Sequence, residues 1–175
     1  MRLLMVGSIP FQDGPLLLKF STIFFNFYHF LSLPVLSNSG RGSVQIMEFE
    51  KVQGGGNRTR KTIMLENEFR NLIDKCTPGA PVAVLAIAGK ANKGKSLFLS
   101  YVLRYLKALQ TGQNNVDWMG WNDKEVRALD EGFRWANGYE VVTKGIWTWS
   151  EPISIKNSKG QVFDVLLLDT QGVFD

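Results

Sequence analysis

The stretch Val82–Ser96, VAVLAIAGKANKGKS, constrains this chain more than any other. Its first part, Val82–Ala88, is wholly apolar and predicts a short strand buried on both faces. The pattern G-x-x-x-x-G-K-S follows at once, and the apolar residues beyond it recur at helical spacing. A strand, a glycine-rich loop and a helix in this order are typical of a P-loop, so we predict an α/β protein that binds phosphate groups.

The predicted P-loop supplies backbone amides and two functional side chains. Its glycines let the backbone curl around phosphate oxygens, and the following helix adds a partial positive charge. Lys95 is placed to reach the β- and γ-phosphates, and the Ser96 hydroxyl to ligate Mg²⁺. The predicted nucleotide-contacting residues of this loop are Gly89, Lys90, Ala91, Asn92, Lys93, Gly94, Lys95, Ser96 and Leu97.

Two further elements complete the predicted site. DTQG, at 169–172, follows the apolar run VFDVLLL, and a carboxylate at the end of a buried strand is where such proteins hold Mg²⁺. The Gly172 amide can meet a γ-phosphate, and Thr143 can supply the hydroxyl that closes on Mg²⁺ in a nucleotide switch. Ser96, Thr143 and Asp169 are therefore the predicted metal ligands, and Asp169 and Gly172 join the nucleotide-contacting set.

The rest of the chain reads as alternating strands, helices and loops. Phe98, Tyr101, Val102, Tyr105, Leu106 and Leu109 form one helical face. NSKG, at 157–160, predicts a hairpin turn. We predict strands at 44–52, 145–155 and 162–168, a helix at 63–75, and loops at 54–61 and 111–140.

Residues 1–43 form an apolar leader and residues 44–175 the folded domain. Residues 16–36 have about the length needed to cross a bilayer, but Lys19 and Pro34 interrupt them. The leader is thus expected to be disordered, or to be a membrane or signal segment. The net charge of +4 is scattered, which argues against nucleic acid, and a single cysteine favours a reducing compartment.

Three stretches resemble the G domain of the dynamin-related GTPases that include atlastins and guanylate-binding proteins. They are VAVLAIAGKANKGKS, GFRWANGYEVVTKGIWTWSEP and VFDVLLLDTQGVFD. The resemblance implies a mainly parallel sheet with one antiparallel hairpin strand, GTP and Mg²⁺ as ligands, and catalytic roles for Lys95 and Thr143. It also implies nucleotide-dependent pairing of two G domains. For an atlastin-like protein it implies membrane tethering and fusion at the endoplasmic reticulum, with the G domain facing the cytosol.

The family's guanine-reading Arg-Asp motif is not found before Asp175, so the domain is expected to be truncated. Family members carry an arginine in the P-loop where this chain has Asn92, and Lys93 beside it is the candidate replacement. Val141 stands where guanylate-binding proteins have a serine, and Val173 where Ras-like switches have a glutamine that orients water. Together with Asn92, these residues lead us to expect slow hydrolysis of the nucleotide. Alternatively, Lys93, or an arginine from Arg127, from Arg134 or from a partner chain, fills this role. The alternatives are a nucleotide-binding dimerisation module with little hydrolysis, or an unrelated P-loop enzyme that uses ATP.

Overall fold

The computed structural model describes residues 2–9, 21–24, 42–52, 59–113, 117–119, 131–136, 143–157 and 159–172. These residues form strands and helices in the order β1 (Arg2–Ile9), β2 (Ser21–Phe24), β3 (Ser43–Val52), β4 (Thr59–Met64), α1 (Glu66–Asp74), β5 (Val82–Ala88), α2 (Lys95–Gln110), β6 (Ile146–Trp149), β7 (Ile153–Lys156) and β8 (Val162–Thr170). The predicted α/β class is confirmed.

One mixed sheet contains all the described strands. Its order is β2-β1-β5-β8-β6-β3-β4, and β7 also pairs with β8. Among the described pairings only β5 and β8 run parallel, from Val82 opposite Asp164 to Ile87 opposite Asp169. The described sheet therefore has more antiparallel strands than the single hairpin strand that the sequence predicted. Short connections favour antiparallel neighbours, whereas parallel ones need a crossover, which here includes α2.

Helix α2 covers the centre of the sheet. Its side chains Phe98, Leu99 and Leu103 pack with Leu85 and Leu167 in the main apolar cluster. The predicted helical face is partly right, because Phe98, Tyr101 and Leu106 are buried. Tyr105, which also belongs to that face, is 38% exposed. The burial instead extends to Leu99 and Leu103, so the apolar arc of the helix is wider than the periodicity indicated.

The predicted strand 145–155 is two strands. β6 and β7 both pair with β8, with Trp147 opposite Asp169 and Ile153 opposite Val165. Ser150, Glu151 and Pro152 separate them, and proline cannot donate a hydrogen bond to a ladder. The hairpin turn after β7 is as predicted, since the Asn157 side-chain oxygen accepts from the amides of Lys159 and Gln161 at 2.9 and 3.0 Å.

Two predicted irregular segments contain strands. The predicted loop at 54–61 overlaps β4, which begins at Thr59 and pairs with β3. Within the predicted leader, β1 pairs antiparallel with β5, and β2 pairs with β1. An extended segment can satisfy the free hydrogen-bonding groups at the edge of β5, which composition alone does not reveal. No helix in the described parts of the chain is long and apolar enough to cross a membrane.

A buried carboxylate joins the loop after α1 to β7 and β8. Asp164 is fully buried and accepts hydrogen bonds from the Thr77 amide at 2.5 Å and the Thr77 hydroxyl at 3.2 Å. The Ser154 hydroxyl donates to the same carboxylate at 2.5 Å. This role of Asp164 was not predictable from local sequence, because its hydrogen-bond donors come from distant positions in the chain.

We expect Asp164→Ala to lower the free energy of unfolding by about 3 kcal/mol, since it leaves buried donors without an acceptor. Urea denaturation followed by circular dichroism would measure the change. Asp74→Ala, which removes an exposed carboxylate, is the matched control. Equal unfolding midpoints for the two variants would contradict the assignment.

Candidate functional site

The loop from Gly89 to Ser96 connects β5 to α2 through two residues with left-handed backbone conformations. Asn92 has φ 53° and Gly94 has φ 72°. Glycine and asparagine are the residues that adopt this conformation most readily. Gly94 is also the N-terminal cap of α2, so the loop turns directly into the first helical turn.

Lys95 is buried within this loop. Its side chain is only 6% exposed, and its Nζ donates a hydrogen bond to the Lys90 carbonyl at 2.7 Å. Lysine is rarely buried to this extent without a polar partner. The ammonium group is therefore bound to the backbone of its own loop. In the same segment the side chains of Asn92 and Lys93 are exposed, and that of Leu97 is half-buried.

Three oxygen-bearing side chains from distant parts of the chain meet beside Lys95. The Ser96 hydroxyl donates to Asp169 Oδ2 at 2.6 Å and lies 3.0 Å from the Thr143 hydroxyl. The Thr143 hydroxyl donates to the same Asp169 oxygen at 3.2 Å. The three predicted metal ligands thus form one hydrogen-bonded cluster, which we call the oxygen cluster.

The ionised form of Asp169 is disfavoured by its burial in this cluster. It is 1% exposed, and its Oδ1 finds no hydrogen-bond partner among the described residues. Burial raises its pKa to about 6, although the hydroxyls of Ser96 and Thr143 and the charge of Lys95 act in the opposite direction. A buried carboxylate oxygen without a partner is a free acceptor for a ligand.

Gly172 lies directly against the loop. A Cβ added at this position would stand 2.5 Å from the Ala91 amide nitrogen and 2.7 Å from its Cα. Only glycine permits so close an approach between the two backbones. DTQG and the Gly89–Ser96 loop therefore touch.

The backbone that follows Thr143 is held by residues that sequence analysis did not select. Gln171 pairs with Gly145 through its backbone amide and its side-chain oxygen, at 2.8 and 2.9 Å. Gln45, from β3, donates to the Lys144 carbonyl at 3.1 Å. Gln171 could have been selected from the sequence, because it lies within DTQG. No local pattern around Gln45 indicates that it contacts Lys144.

The remaining predicted residues divide into two groups. Arg134 lines a small cleft together with Phe133, Thr143, Trp147 and Asp169, so it borders the oxygen cluster. Val141, Val173 and Arg127 lie outside the described residues. Among the described residues, no three His, Cys, Asp or Glu side chains lie close enough together to hold a metal ion. A cation here would be held by one carboxylate and two hydroxyls, a hard oxygen set that suits Mg²⁺.

Comparison with known proteins places the chain in a family. Residues 60–175 match the model of the guanylate-binding protein N-terminal domain. Mouse atlastin-3 is 33% identical over 143 residues, which cover 80% of this chain and 24% of that protein. Bovine atlastin-1 is 37% identical over 106 residues, which cover 61% of this chain and 18% of that protein.

The chain thus spans about a quarter, or less, of the length of these relatives. The family match takes in the Gly89–Ser96 loop, Thr143 and DTQG, the stretches on which the resemblance was based. The chain therefore belongs to the guanylate-binding protein family, as part of its N-terminal domain, with atlastin-3 and atlastin-1 among its relatives.

Proposed function

We propose that this chain is a GTP-binding domain of a GTPase. The observation that carries the proposal is the oxygen cluster, because Ser96, Thr143 and Asp169 come from three separate segments and meet beside a buried lysine. Folding alone gains little from placing a carboxylate where one oxygen has no partner. A site for a phosphate-bound cation accounts for both features.

The Gly89–Ser96 loop would bind the phosphates. Its backbone amides and the start of α2 favour negative charge, and the Lys95 ammonium would exchange the Lys90 carbonyl for a phosphate oxygen. Gly172, which touches Ala91, would present its amide to the terminal phosphate. These residues orient the substrate and balance its charge, which is most of what phosphoryl transfer asks of a protein.

The oxygen cluster fits Mg²⁺. Asp169 Oδ1 is an unpartnered buried acceptor, and the hydroxyls of Ser96 and Thr143 adjoin it. Mg²⁺ would neutralise charge on the phosphates when bound. The cluster would hold the cation with Asp169 ionised.

Hydrolysis is proposed to be slow. A correctly placed arginine increases the rate of phosphoryl transfer by roughly 10³ to 10⁵, and position 92 holds an asparagine. The left-handed backbone of Asn92 is a conformation that asparagine adopts readily. In the alternative, hydrolysis is not slow because Lys93, Arg127, Arg134 at the edge of the cluster or an arginine of a partner chain supplies the missing charge.

The activities of a longer protein rest on the resemblance alone. We propose that two G domains pair when nucleotide is bound, and that the whole protein tethers and fuses endoplasmic reticulum membranes with this domain in the cytosol. The neutral Asn92 favours the second candidate function, a nucleotide-dependent dimerisation module with little turnover. An ATP-using enzyme is the third candidate.

We expect Lys95→Ala to weaken GTP binding at least about 100-fold, since it removes the buried cation that would meet the phosphates. Fluorescent GTP titration would measure it, with Lys156→Ala as the control at an exposed lysine of β7. Competition by unlabelled ATP as effective as that by GTP would favour the ATP-using candidate. Equal affinities for the wild type and Lys95→Ala would contradict the site.

Without ligand, Asp169→Asn should stabilise the chain at pH 7.5, by up to about 3 kcal/mol. The folded pKa of about 6 exceeds the ordinary value of 3.8, so the folded state holds more protons between these values and stability falls as pH rises through them. The gain should shrink towards pH 4. Urea denaturation at both pH values would measure it, and a gain independent of pH would contradict the cause.

Asn92→Arg should raise the single-turnover rate of GTP hydrolysis at least about tenfold if the missing charge limits it. The new side chain must tolerate a left-handed backbone, which costs about 1 kcal/mol. Asn92→Gly separates the two effects, because it keeps the conformation without adding charge. An equal rise in both variants, or none in Asn92→Arg, would contradict the explanation.

A further inference from the structure

The stretch Thr143–Gly145 is confined between strand β3 and the end of strand β8. Gly145 precedes β6, and a Cβ added to it would stand 1.9 Å from the Met47 carbonyl oxygen in β3. Its backbone has φ 77°, which glycine adopts without strain. The chain just after Thr143 therefore passes tightly between β3 and the end of β8.

Gln171 makes a two-point pairing with this stretch. Its backbone amide donates to the Gly145 carbonyl at 2.8 Å, and its side-chain oxygen accepts from the Gly145 amide at 2.9 Å. Both polar groups of Gly145 are thus satisfied by one residue. Gln171 lies two residues after Asp169, and Gly145 lies two residues after Thr143. The pairing consequently bridges two of the three segments that carry the oxygen cluster, those of Thr143 and Asp169.

The Lys144 carbonyl is held from two other directions. Gln45 Nε2 donates to it at 3.1 Å, and Trp147 Nε1 donates to it at 2.9 Å. Gln45 Nε2 also donates to the Met47 carbonyl at 3.3 Å, which ties the same amide to β3. The two acceptor positions of the Lys144 carbonyl are therefore occupied by side chains.

We propose that Gln171 and Gln45 are positioning residues that hold the Thr143 hydroxyl beside Ser96 and Asp169. Thr143 adjoins Lys144 in the chain, so fixing Lys144 and Gly145 limits where its hydroxyl can lie. A ligand that uses Thr143 then loses less conformational freedom on binding. This inference rests on the proposed function, because the benefit appears only when Thr143 binds the cation and terminal phosphate.

The contact itself can be tested without nucleotide. In the 175-residue chain, hydrogen exchange measured by NMR should show a protected Gly145 amide. Gln171→Met should lose that protection, since it keeps the side-chain length without an acceptor. Gln171→Glu should retain it, and Gln113→Met, at an exposed glutamine after α2, should leave it unchanged. Protection that persists in Gln171→Met would overturn the inference.

The positioning role of Gln171 and Gln45 can be tested by double-mutant cycles with Thr143→Ala, which measure the coupling between each glutamine and Thr143. We expect Gln171→Met and Gln45→Met each to weaken the Mg²⁺-dependent binding of a non-hydrolysable GTP analogue roughly tenfold, a typical effect of one lost hydrogen bond, with GDP affinity nearly unchanged. In the Thr143→Ala background neither should have a further effect. A merely structural role would instead weaken both ligands and add to Thr143→Ala.

The outcomes separate this inference from the proposed function. If the wild-type chain binds the analogue but the glutamine effects add fully to that of Thr143→Ala, the inference is wrong and the proposed function stands. If the wild-type chain binds no guanine nucleotide in the presence of Mg²⁺, the proposed function is wrong and the inference fails with it.

Discussion

The parallel pairing of β5 and β8 brings together the two main parts of the candidate site, the Gly89–Ser96 loop and DTQG. Ile87 stands opposite Asp169, so the Gly89–Ser96 loop and DTQG leave the sheet at the same edge. The Thr170 hydroxyl donates to the Ile87 carbonyl at 2.6 Å and ties the two strand ends together. The approach of Gly172 to Ala91 follows from this register. A slip of one residue would turn Asp169 to the other face of the sheet.

Two groups of the candidate site lower the stability of the folded state. A buried Asp169 with a raised pKa and an unpartnered oxygen opposes folding, and the buried Lys95 adds a second desolvated group. The apolar cluster of α2, β5 and β8 provides the compensating stability around it. Asp164 shows the contrasting arrangement, since both of its oxygens accept hydrogen bonds, from Thr77 and Ser154. The two carboxylates lie on the same strand and differ in whether their oxygens are satisfied.

Much of the candidate site was predictable in its placement, because its signals are local. The Gly89–Ser96 loop follows an apolar strand and precedes a helix, so spacing alone indicated its place. Asp169 was found for the same reason, at the end of a buried strand. Arg2–Ile9 and Thr59–Met64 were not predicted as strands, because their stability comes from edges offered by β5 and β3 rather than from their own periodicity. The division of 145–155 was also missed, since two short strands in series resemble one long one.

By itself the sequence determined the fold class, and it indicated the proposed phosphate-binding loop and the residue types of the proposed cation site. These are local features, because glycine spacing, strand periodicity and the positions of hydroxyl and carboxylate groups can be read from short stretches. Only the tertiary structure decided that the hydroxyls of Ser96 and Thr143 meet on one oxygen of Asp169, and that Gln171 and Gln45 hold the backbone beside them. Gln45 and Lys144 are 99 positions apart in the chain, and no local pattern encodes a hydrogen bond between residues so separated. Their contact exists because strands β3, β6 and β8 are neighbours in one sheet.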